Sequence, residues 1–275
     1  MTIKEALIMA KSKFEQVDIK SARLDSEILL ASVVQKEKEW LIAHDNDELT
    51  AKQLSVLNKF IERRLDREPV CYITNKLDFY GIDFYVDNRV LSPRVETELI
   101  AEEAIKNAPK NSKLIDLGTG SGAIAIAIAK HRPDLEITAT EISEEAMEIA
   151  KLNAKNILGK NNKIKFIMAD VWDDVDGTFE TIVTNLPYVS EDYKSNMKPE
   201  VLKEPAVALF GGKGDGLDLY RKFYSNIRDH INPNSMIYHE SDPWQHEGLK
   251  TLAQSEGLEP ILEEYLILGF QNKTN

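Results

Sequence analysis

Residues 113–129 read KLIDLGTGSGAIAIAIA, and this stretch decides the fold. The apolar run at 114–117 predicts a buried strand, and the alternating Ala and Ile from residue 123 predict a buried helix. The glycines between them, at 118, 120 and 122, let the backbone turn tightly and approach a ligand closely. The N-terminus of the following helix offers free N–H groups to an anion. The stretch therefore predicts the start of an α/β domain with a ligand site at its loop.

From about residue 96 onward, short apolar runs alternate with helical segments, which predicts a parallel, doubly wound sheet. Two closely spaced runs near the end predict an antiparallel hairpin on one edge. The predicted strands are 114–117, 137–140, 164–168, 181–184, 236–239, 260–263 and 265–270.

The region before this sheet has two other patterns. Apolar residues at helical spacing predict a small helical bundle over residues 1–75, in which Thr50 and Gln53 form a capping box. The partly alternating aromatic run at 77–86 is broken by a glycine and predicts a β-hairpin. We therefore predict three parts: a helical domain at 1–75, a hairpin linker at 76–95 and the sheet domain at 96–275.

Composition narrows the classes of protein. The net charge of −12 argues against a free-standing nucleic-acid binder, which usually carries a basic face. Cys71 is the single cysteine, so no disulfide forms within the chain, and its apolar surroundings indicate packing rather than a catalytic thiol. The first residues lack the apolar core of a signal peptide, and no apolar run could span a bilayer. We expect a cytoplasmic protein without a membrane partner.

The glycine spacing identifies a cofactor class. A dinucleotide site favours G-x-G-x-x-G, whereas G-x-G-x-G, as found here, is usual in S-adenosylmethionine sites. Glu141 ends the next predicted strand, where it would accept hydrogen bonds from ribose hydroxyls. Asp170 would accept from the adenine amino group, and Val171 would pack on the ring. The predicted cofactor-binding residues are Asp116, Gly118, Thr119, Gly120, Ser121, Gly122, Glu141, Asp170, Val171 and Asn185.

Each of these assignments has an alternative. The glycines could form a strand-to-helix turn that binds nothing. Glu141 could be a solvated residue at a strand end. Asp170 could cap a helix, which is a frequent use of aspartate.

The stretch TNLPY, residues 184–188, follows the apolar run at 181–183 and would lie beside the cofactor. A planar amide nitrogen is a poor nucleophile, because its lone pair is delocalised. Asn185 Oδ1 and the Leu186 carbonyl could accept its N–H groups, direct the lone pair towards the methyl group and stabilise the developing positive charge. Tyr188 would supply a flat wall. No strong general base is needed if the proton leaves after methyl transfer.

Residues 185–188, NLPY, resemble the Asn-Pro-Pro-Tyr motif of amino-methyltransferases that act on planar nitrogens, with Leu186 in place of the first proline. Over nearly the whole chain, the sequence resembles the bacterial release-factor glutamine methyltransferases of the HemK/PrmC type. Val95 replaces a second family proline in the segment 90–98. The matching segments are 22–31, 67–73, 79–81, 90–98, 204–205 and 208–212.

The resemblance implies a class I S-adenosylmethionine-dependent methyltransferase, with a Rossmann-like, mostly parallel sheet and a small N-terminal helical bundle. It implies methylation of the side-chain nitrogen of the glutamine in the Gly-Gly-Gln motif of peptide-chain release factors, with no metal and no direct nucleic-acid partner. The helical domain and hairpin would dock that substrate, and a monomer is expected. The implied catalytic residues are Asn185, Leu186, Pro187 and Tyr188, and the implied substrate-binding residues are these four with Pro93, Arg94 and Glu96.

Three rival functions stay open: a glutamine methyltransferase of a ribosomal protein, a nucleic-acid amino-methyltransferase, and a degenerate cofactor-binding protein. Several side chains also have structural interpretations. Arg23 with Asp25, and Arg94 with Glu96, could form surface pairs of little energetic value. The hairpin aromatics are expected mainly to pack in a core. The acidic residues Glu204, Asp215 and Glu240 are interpreted as structural or solvated.

Overall fold

The computed structural model describes residues 1–273 and divides the chain into two compact units. The first unit comprises Met1–Lys76 and Lys198–Lys203. The second comprises Leu77–Met197 and the chain from Glu204 onward. The hairpin thus belongs to the second unit, and a short segment of the predicted sheet domain belongs to the first. Residues 274 and 275, at the end of the predicted 96–275 domain, lie outside the described residues.

The first unit is helical, as predicted. Thr50 caps its fourth helix and forms the predicted capping box with Gln53. That helix ends at Leu65, before Pro69, and the proline instead caps a short fifth helix that was not predicted. The helices are α1 (Ile3–Gln16), α2 (Ala22–Val34), α3 (Lys38–Ala43), α4 (Ala51–Leu65) and α5 (Val70–Thr74).

A buried ion cluster lies within this unit. Arg64 is 4% exposed, and its Nε lies 2.7 Å from Asp25 Oδ2. Its Nη2 lies 3.0 Å from Glu200, which Arg67 also contacts. These contacts explain why residues 198–203 belong to the helical unit. The alternative in which Arg23 forms a surface pair with Asp25 does not hold, because Arg23 pairs with Glu27 on the surface and Asp25 pairs with Arg64.

The second unit begins with the predicted hairpin. Strands β1 (Leu77–Phe79) and β2 (Ile82–Phe84) are antiparallel. Their turn residues Tyr80 and Gly81 both have positive φ, which suits the right-handed twist of a two-residue hairpin. Phe79 and Phe84 are buried and pack edge to face at 6.1 Å, so their predicted core role is confirmed.

A seven-stranded sheet forms the centre of this unit in the order β5-β4-β3-β6-β7-β9-β8. Strands β3 to β7 are parallel, and β9 runs antiparallel to β7 and β8, so the predicted parallel sheet with an antiparallel edge is confirmed. The strands are β3 (Lys113–Leu117), β4 (Glu136–Glu141), β5 (Lys165–Met168), β6 (Phe179–Thr184), β7 (Ile231–Glu240), β8 (Leu258–Glu264) and β9 (Ile267–Asn272).

Helices connect these strands and cover the sheet. Residues 123–128 of the helix after β3 are all buried, which explains their continuous Ala and Ile sequence. The last strand begins at Ile267 rather than at the predicted Tyr265, because Tyr265 has positive φ in the turn. Among residues 1–273, no helix combines the length and apolar character needed to cross a membrane. The helices are α6 (Glu98–Asn107), α7 (Ala123–His131), α8 (Glu144–Leu158), α9 (Asp218–Asn226) and α10 (His246–Ser255).

Candidate active site

The centre of the site is the point where the strand order reverses. Strands β4 and β5 extend from one side of β3, and β6 adds to its other side. Leu117 and Thr184, the last residues of β3 and β6, are direct partners across this junction. Open α/β sheets bind ligands in the crevice at such a switch point, beyond the carboxyl ends of the strands. The glycine loop and the NLPY segment therefore leave the sheet side by side.

The glycine loop has the backbone that its sequence requires. Gly118, Gly120 and Gly122 have φ values of +69°, +56° and +83°, a region that other residues rarely adopt. A Cβ on Gly122 would lie 2.7 Å from Ile126 Cδ1, so the loop packs closely on α7. A Cβ on Gly118 would lie 3.3 Å from Leu186 Cδ2. The loop is thus in contact with the NLPY segment.

Asp116 lies beneath this loop and is fully buried. Its Oδ2 accepts hydrogen bonds from Thr119 Oγ1 at 2.6 Å and from the Ala125 N–H at 3.3 Å. Its Oδ1 has no hydrogen-bond partner among residues 1–273. Burial raises the pKa of Asp116 to about 7. The residue shapes the loop and leaves one acceptor oxygen unsatisfied.

Glu141, the last residue of β4, links the glycine loop to the next loop. It is 8% exposed, and its Oε2 accepts from the Gly120 N–H at 2.9 Å. Its Oε1 accepts from the N–H groups of Ile142 and Ser143 at 2.9 and 3.0 Å. The alternative of a solvated strand-end residue does not hold, because this carboxylate is buried and fixed by three backbone donors.

Asp170 and Val171 follow β5 and line the same cavity. Asp170 Oδ2 lies 2.9 Å from Lys222 Nζ, so an ion pair positions this carboxylate. Val171 is buried and has a φ of +57°, which is an outlier for a β-branched residue. Such backbone strain is concentrated at ligand sites.

One cavity brings most of the predicted residues together. Of the residues implied for substrate binding, Pro93 and Arg94 line it, whereas Glu96 is exposed and is not among its lining residues. Tyr188 lines a neighbouring depression instead. Asp116 and Gly122 lie behind the wall rather than in it. The other predicted residues in the wall are Gly118, Thr119, Gly120, Ser121, Glu141, Asp170, Val171, Asn185, Leu186 and Pro187.

The side chains of the NLPY segment are held by two residues, Thr97 at the start of α6 and Glu240 at the end of β7. Asn185 Nδ2 donates to Thr97 Oγ1 at 3.2 Å, and Thr97 Oγ1 donates to Glu240 Oε2 at 2.5 Å. Tyr188 OH donates to Glu240 Oε1 at 2.8 Å. Burial and the Glu240 carboxylate raise the pKa of the Tyr188 hydroxyl, and burial raises that of Glu240.

The backbone of the segment is held equally closely. Gln245, 2% exposed, donates from Nε2 to the Tyr188 carbonyl at 2.8 Å. A Cβ on Gly211 would collide with the Pro187 carbonyl oxygen, and a Cβ on Gly216 would collide with that of Tyr188. These glycines are therefore required for close approach to the motif.

Two acidic residues interpreted as structural or solvated are in fact buried beside the cavity. Glu204 accepts from Ser92 Oγ at 2.7 Å and pairs with Arg94 at 2.5 Å, so Arg94 pairs with Glu204 and not with Glu96. Glu240 is 2% exposed. Thr97 also lines the cavity; no role was predicted for it from the sequence, although it lies in the segment 90–98 that carries the family resemblance. The third acidic residue, Asp215, forms a half-exposed pair with Arg221, as interpreted.

Comparisons with known proteins find matches in both units of the chain. The protein-family model described as the PrmC N-terminal domain matches residues 5–74. The family model described as the methyltransferase small domain matches residues 95–213. A release factor glutamine methyltransferase of Clostridium acetobutylicum is 33% identical over 267 residues, covering 95% of this chain and 93% of that protein. One of Buchnera aphidicola subsp. Baizongia pistaciae is 37% identical over 247 residues, covering 89% and 84% respectively.

Solved structures share the fold. A methyltransferase from Pyrococcus furiosus superimposes with a TM-score of 0.53 at 16% identity, covering 82% of this chain and all of that one. The second unit therefore has the class I methyltransferase fold that was predicted.

Proposed function

The chain belongs to the family of release factor glutamine methyltransferases, and on that premise we propose that it methylates a glutamine side-chain nitrogen in peptide-chain release factors. The glutamine is that of their Gly-Gly-Gln motif. The methyl group would come from S-adenosylmethionine, whose sulfonium supplies an electrophilic methyl carbon. The products are N5-methylglutamine, S-adenosylhomocysteine and a proton released from the amide nitrogen.

The observation that carries this proposal is the position and orientation of Asn185. It follows β6 directly, beside the glycine loop, and it lines the cavity. Its Nδ2 donates to Thr97, which leaves Oδ1 as the atom that can accept from a substrate amide. An acceptor at this position can hold the glutamine nitrogen and stabilise the positive charge that develops on it.

The residues of the cavity fit the proposed cofactor. Gly120 has open space where a side chain would stand, so a ligand can approach its backbone. Glu141 places a buried carboxylate at the wall for ribose hydroxyls, and Asp170 with Val171 would hold the adenine. Asp116 lies behind the wall and would support the cofactor indirectly, because its Oδ2 holds Thr119 and the Ala125 N–H and so fixes the glycine loop.

The chain's own residues would act by orientation rather than by proton transfer. Asn185 Oδ1 and the Leu186 carbonyl are the two proposed acceptors for the amide N–H groups. Leu186 is 5% exposed and packs against the glycine loop, so its side chain supplies rigidity that the family's proline supplies through a fixed φ. Tyr188 is held by Glu240 and would bound the glutamine side chain.

We also propose that the first unit helps to dock the release factor. The match of residues 5–74 to the PrmC N-terminal domain supports this assignment. We further propose that the protein acts as a cytoplasmic monomer and that the reaction needs neither a metal nor a nucleic acid.

Mass spectrometry of a release factor tests the proposal directly. The protein is incubated with S-adenosylmethionine and an unmethylated release factor, and the Gly-Gly-Gln peptide is analysed. We expect one added methyl group on the glutamine, and none with Asn185→Ala, whose cofactor affinity should largely survive. An unmodified glutamine despite normal cofactor binding would refute the proposal. Methylation of a ribosomal protein or of a nucleic acid under the same conditions would favour the rival functions.

A further inference from the structure

We propose that Thr97 and Glu240 are positioning residues that set which end of the Asn185 amide faces the substrate. This inference rests on the proposed function, because it concerns the acceptor for the glutamine nitrogen. The relevant contacts lie within the second unit, at the ends of the neighbouring strands β6 and β7 and at the start of α6. None of the sequence patterns identified Thr97 or assigned Glu240 to the reaction.

The direction of the hydrogen-bond chain fixes the amide. Both carboxyl oxygens of Glu240 accept from hydroxyls, Oε1 from Tyr188 and Oε2 from Thr97 at 2.5 Å, so the single proton of the Thr97 hydroxyl goes to Glu240. The Thr97 oxygen can then only accept any further hydrogen bond. Asn185 must meet it with its NH2 group, at 3.2 Å, and must turn Oδ1 away from it. An amide in place of the Glu240 carboxylate could donate as well as accept. The Thr97 proton would then no longer be directed to residue 240, and the Asn185 amide could turn either way.

The local structure departs from ordinary use at both residues. Thr97 occupies the N-cap position of α6, yet its side chain makes no capping hydrogen bond. Glu240 is 2% exposed, and its carboxylate accepts from the hydroxyls of Thr97 and Tyr188, with the Asn185 amide also acting on it as a donor. Burying a carboxylate in this way is costly, and such local inconsistencies are expected at functional sites.

The same carboxylate also holds the far end of the motif. Its Oε1 accepts from Tyr188 OH at 2.8 Å, while its Oε2 acts on Asn185 through Thr97. The strand register brings these groups together, because Thr184 pairs with His239 and the next residues are Asn185 and Glu240. Glu240 therefore fixes both the first and the last side chain of NLPY.

The test compares Thr97→Val, which keeps the shape but removes the hydroxyl, with Thr97→Ser, which keeps the hydroxyl. Methylation of the release factor is measured under saturating cofactor, and cofactor affinity is measured separately by calorimetry. We expect Thr97→Val to lower kcat by about 10- to 100-fold with little change in cofactor affinity, since an orientation is lost. Thr97→Ser should restore most of kcat. Equal kcat for Thr97→Val and the unmodified protein would overturn the inference.

Glu240→Gln provides the second variant. It retains the volume of Glu240 but can donate to Thr97, so we expect a similar loss of kcat. NMR spectra then report on the side-chain NH2 group of Asn185, whose signals are assigned by their absence in Asn185→Ala. These signals should shift in Glu240→Gln and Thr97→Val. They should stay near their original positions in Thr97→Ser. Unchanged signals in the first two variants would also overturn the inference. If the unmodified protein leaves the release factor unmethylated, the proposed function fails instead, and the NMR result still decides the orientation.

Discussion

Thr184 Oγ1 donates a hydrogen bond of 2.8 Å to the carbonyl oxygen of Leu117. These two residues end the central strands β3 and β6, and the functional loops begin one residue later. The bond fixes the distance between the glycine loop and the NLPY segment at the point where both leave the sheet. The proposed cofactor loop and the proposed substrate acceptor thus follow directly from the same pair of strands.

Replacing Glu141 by alanine should weaken cofactor binding. The change removes the acceptor for the N–H groups of Gly120, Ile142 and Ser143, and also the proposed ribose acceptor. Hydrogen bonds to charged groups contribute about 1.5–3 kcal/mol each, so we expect a loss of at least about 10-fold in affinity for S-adenosylmethionine by calorimetry. Glu145→Ala, an exposed change in the same region, is the control. Equal affinities for the two variants would remove Glu141 from the site.

Replacing Gly211 by alanine should lower kcat, because its Cβ would overlap the backbone oxygens of Gly216 and Pro187. The new Cβ would collide with the carbonyl oxygen of Pro187 and displace the NLPY backbone, for which we expect a decrease of about 10- to 100-fold. Gly248→Ala is the matched control. Gly248 lies in α10, and its new Cβ would meet Leu217 Cδ1 at 3.4 Å, which is an ordinary contact distance. Full activity of Gly211→Ala would show that the motif does not depend on this close approach.

Replacing Asp116 by asparagine should change how stability depends on pH. Burial raises the pKa of Asp116 to about 7, so the folded state holds this proton more tightly than the unfolded state does. The free energy of unfolding of the unmodified protein therefore falls as pH rises from about 4 to about 7. Above that range, the ionised Asp116 has lowered it by about 4 kcal/mol.

The asparagine variant lacks this titration. Thermal melting of both proteins is measured without cofactor at pH 5 and pH 8. The melting temperature of Asp116→Asn, relative to that of the unmodified protein, should be higher at pH 8 than at pH 5. A difference that is constant between the two pH values would contradict the assigned pKa.

Replacing Asp25 by alanine should destabilise the helical unit. The change leaves the Nε of Arg64, 4% exposed, without its acceptor, while Glu200 still pairs with the Nη groups, so we expect a loss below the ~3–5 kcal/mol that a fully uncompensated buried charge costs. Hydrogen exchange in α2 and α4 should become faster. Arg23→Ala removes an exposed pair with Glu27 and serves as the control, with little expected change. Matching exchange rates for the two variants would show that the buried cluster adds no stability.

Local sequence was sufficient for much of this protein. The glycine loop, the helical period and the alternation of strands and helices each depend on neighbouring residues, so they predicted the parallel sheet, its antiparallel edge and the N-terminal helices. The capping box of Thr50 and the hairpin around Gly81 were predicted for the same reason. Asn185 was identified because an amide followed by Pro-Tyr at a strand end has a chemical use there.

Partners that are distant along the chain were decided by the tertiary structure. Sequence suggested Arg23 for Asp25 and Glu96 for Arg94, because the members of each pair are near neighbours. The fold instead pairs Asp25 with Arg64 and Arg94 with Glu204.

The orientation of Asn185 belongs to the same class. It depends on Thr97 and Glu240, which lie 88 residues before and 55 residues after it and meet it only when β6, β7 and α6 pack together. Asn185, the proposed acceptor, could be identified from the sequence, because its type and its strand-end position are local properties. The groups that hold it could not, because burial and hydrogen-bond direction arise from the packing of separate elements.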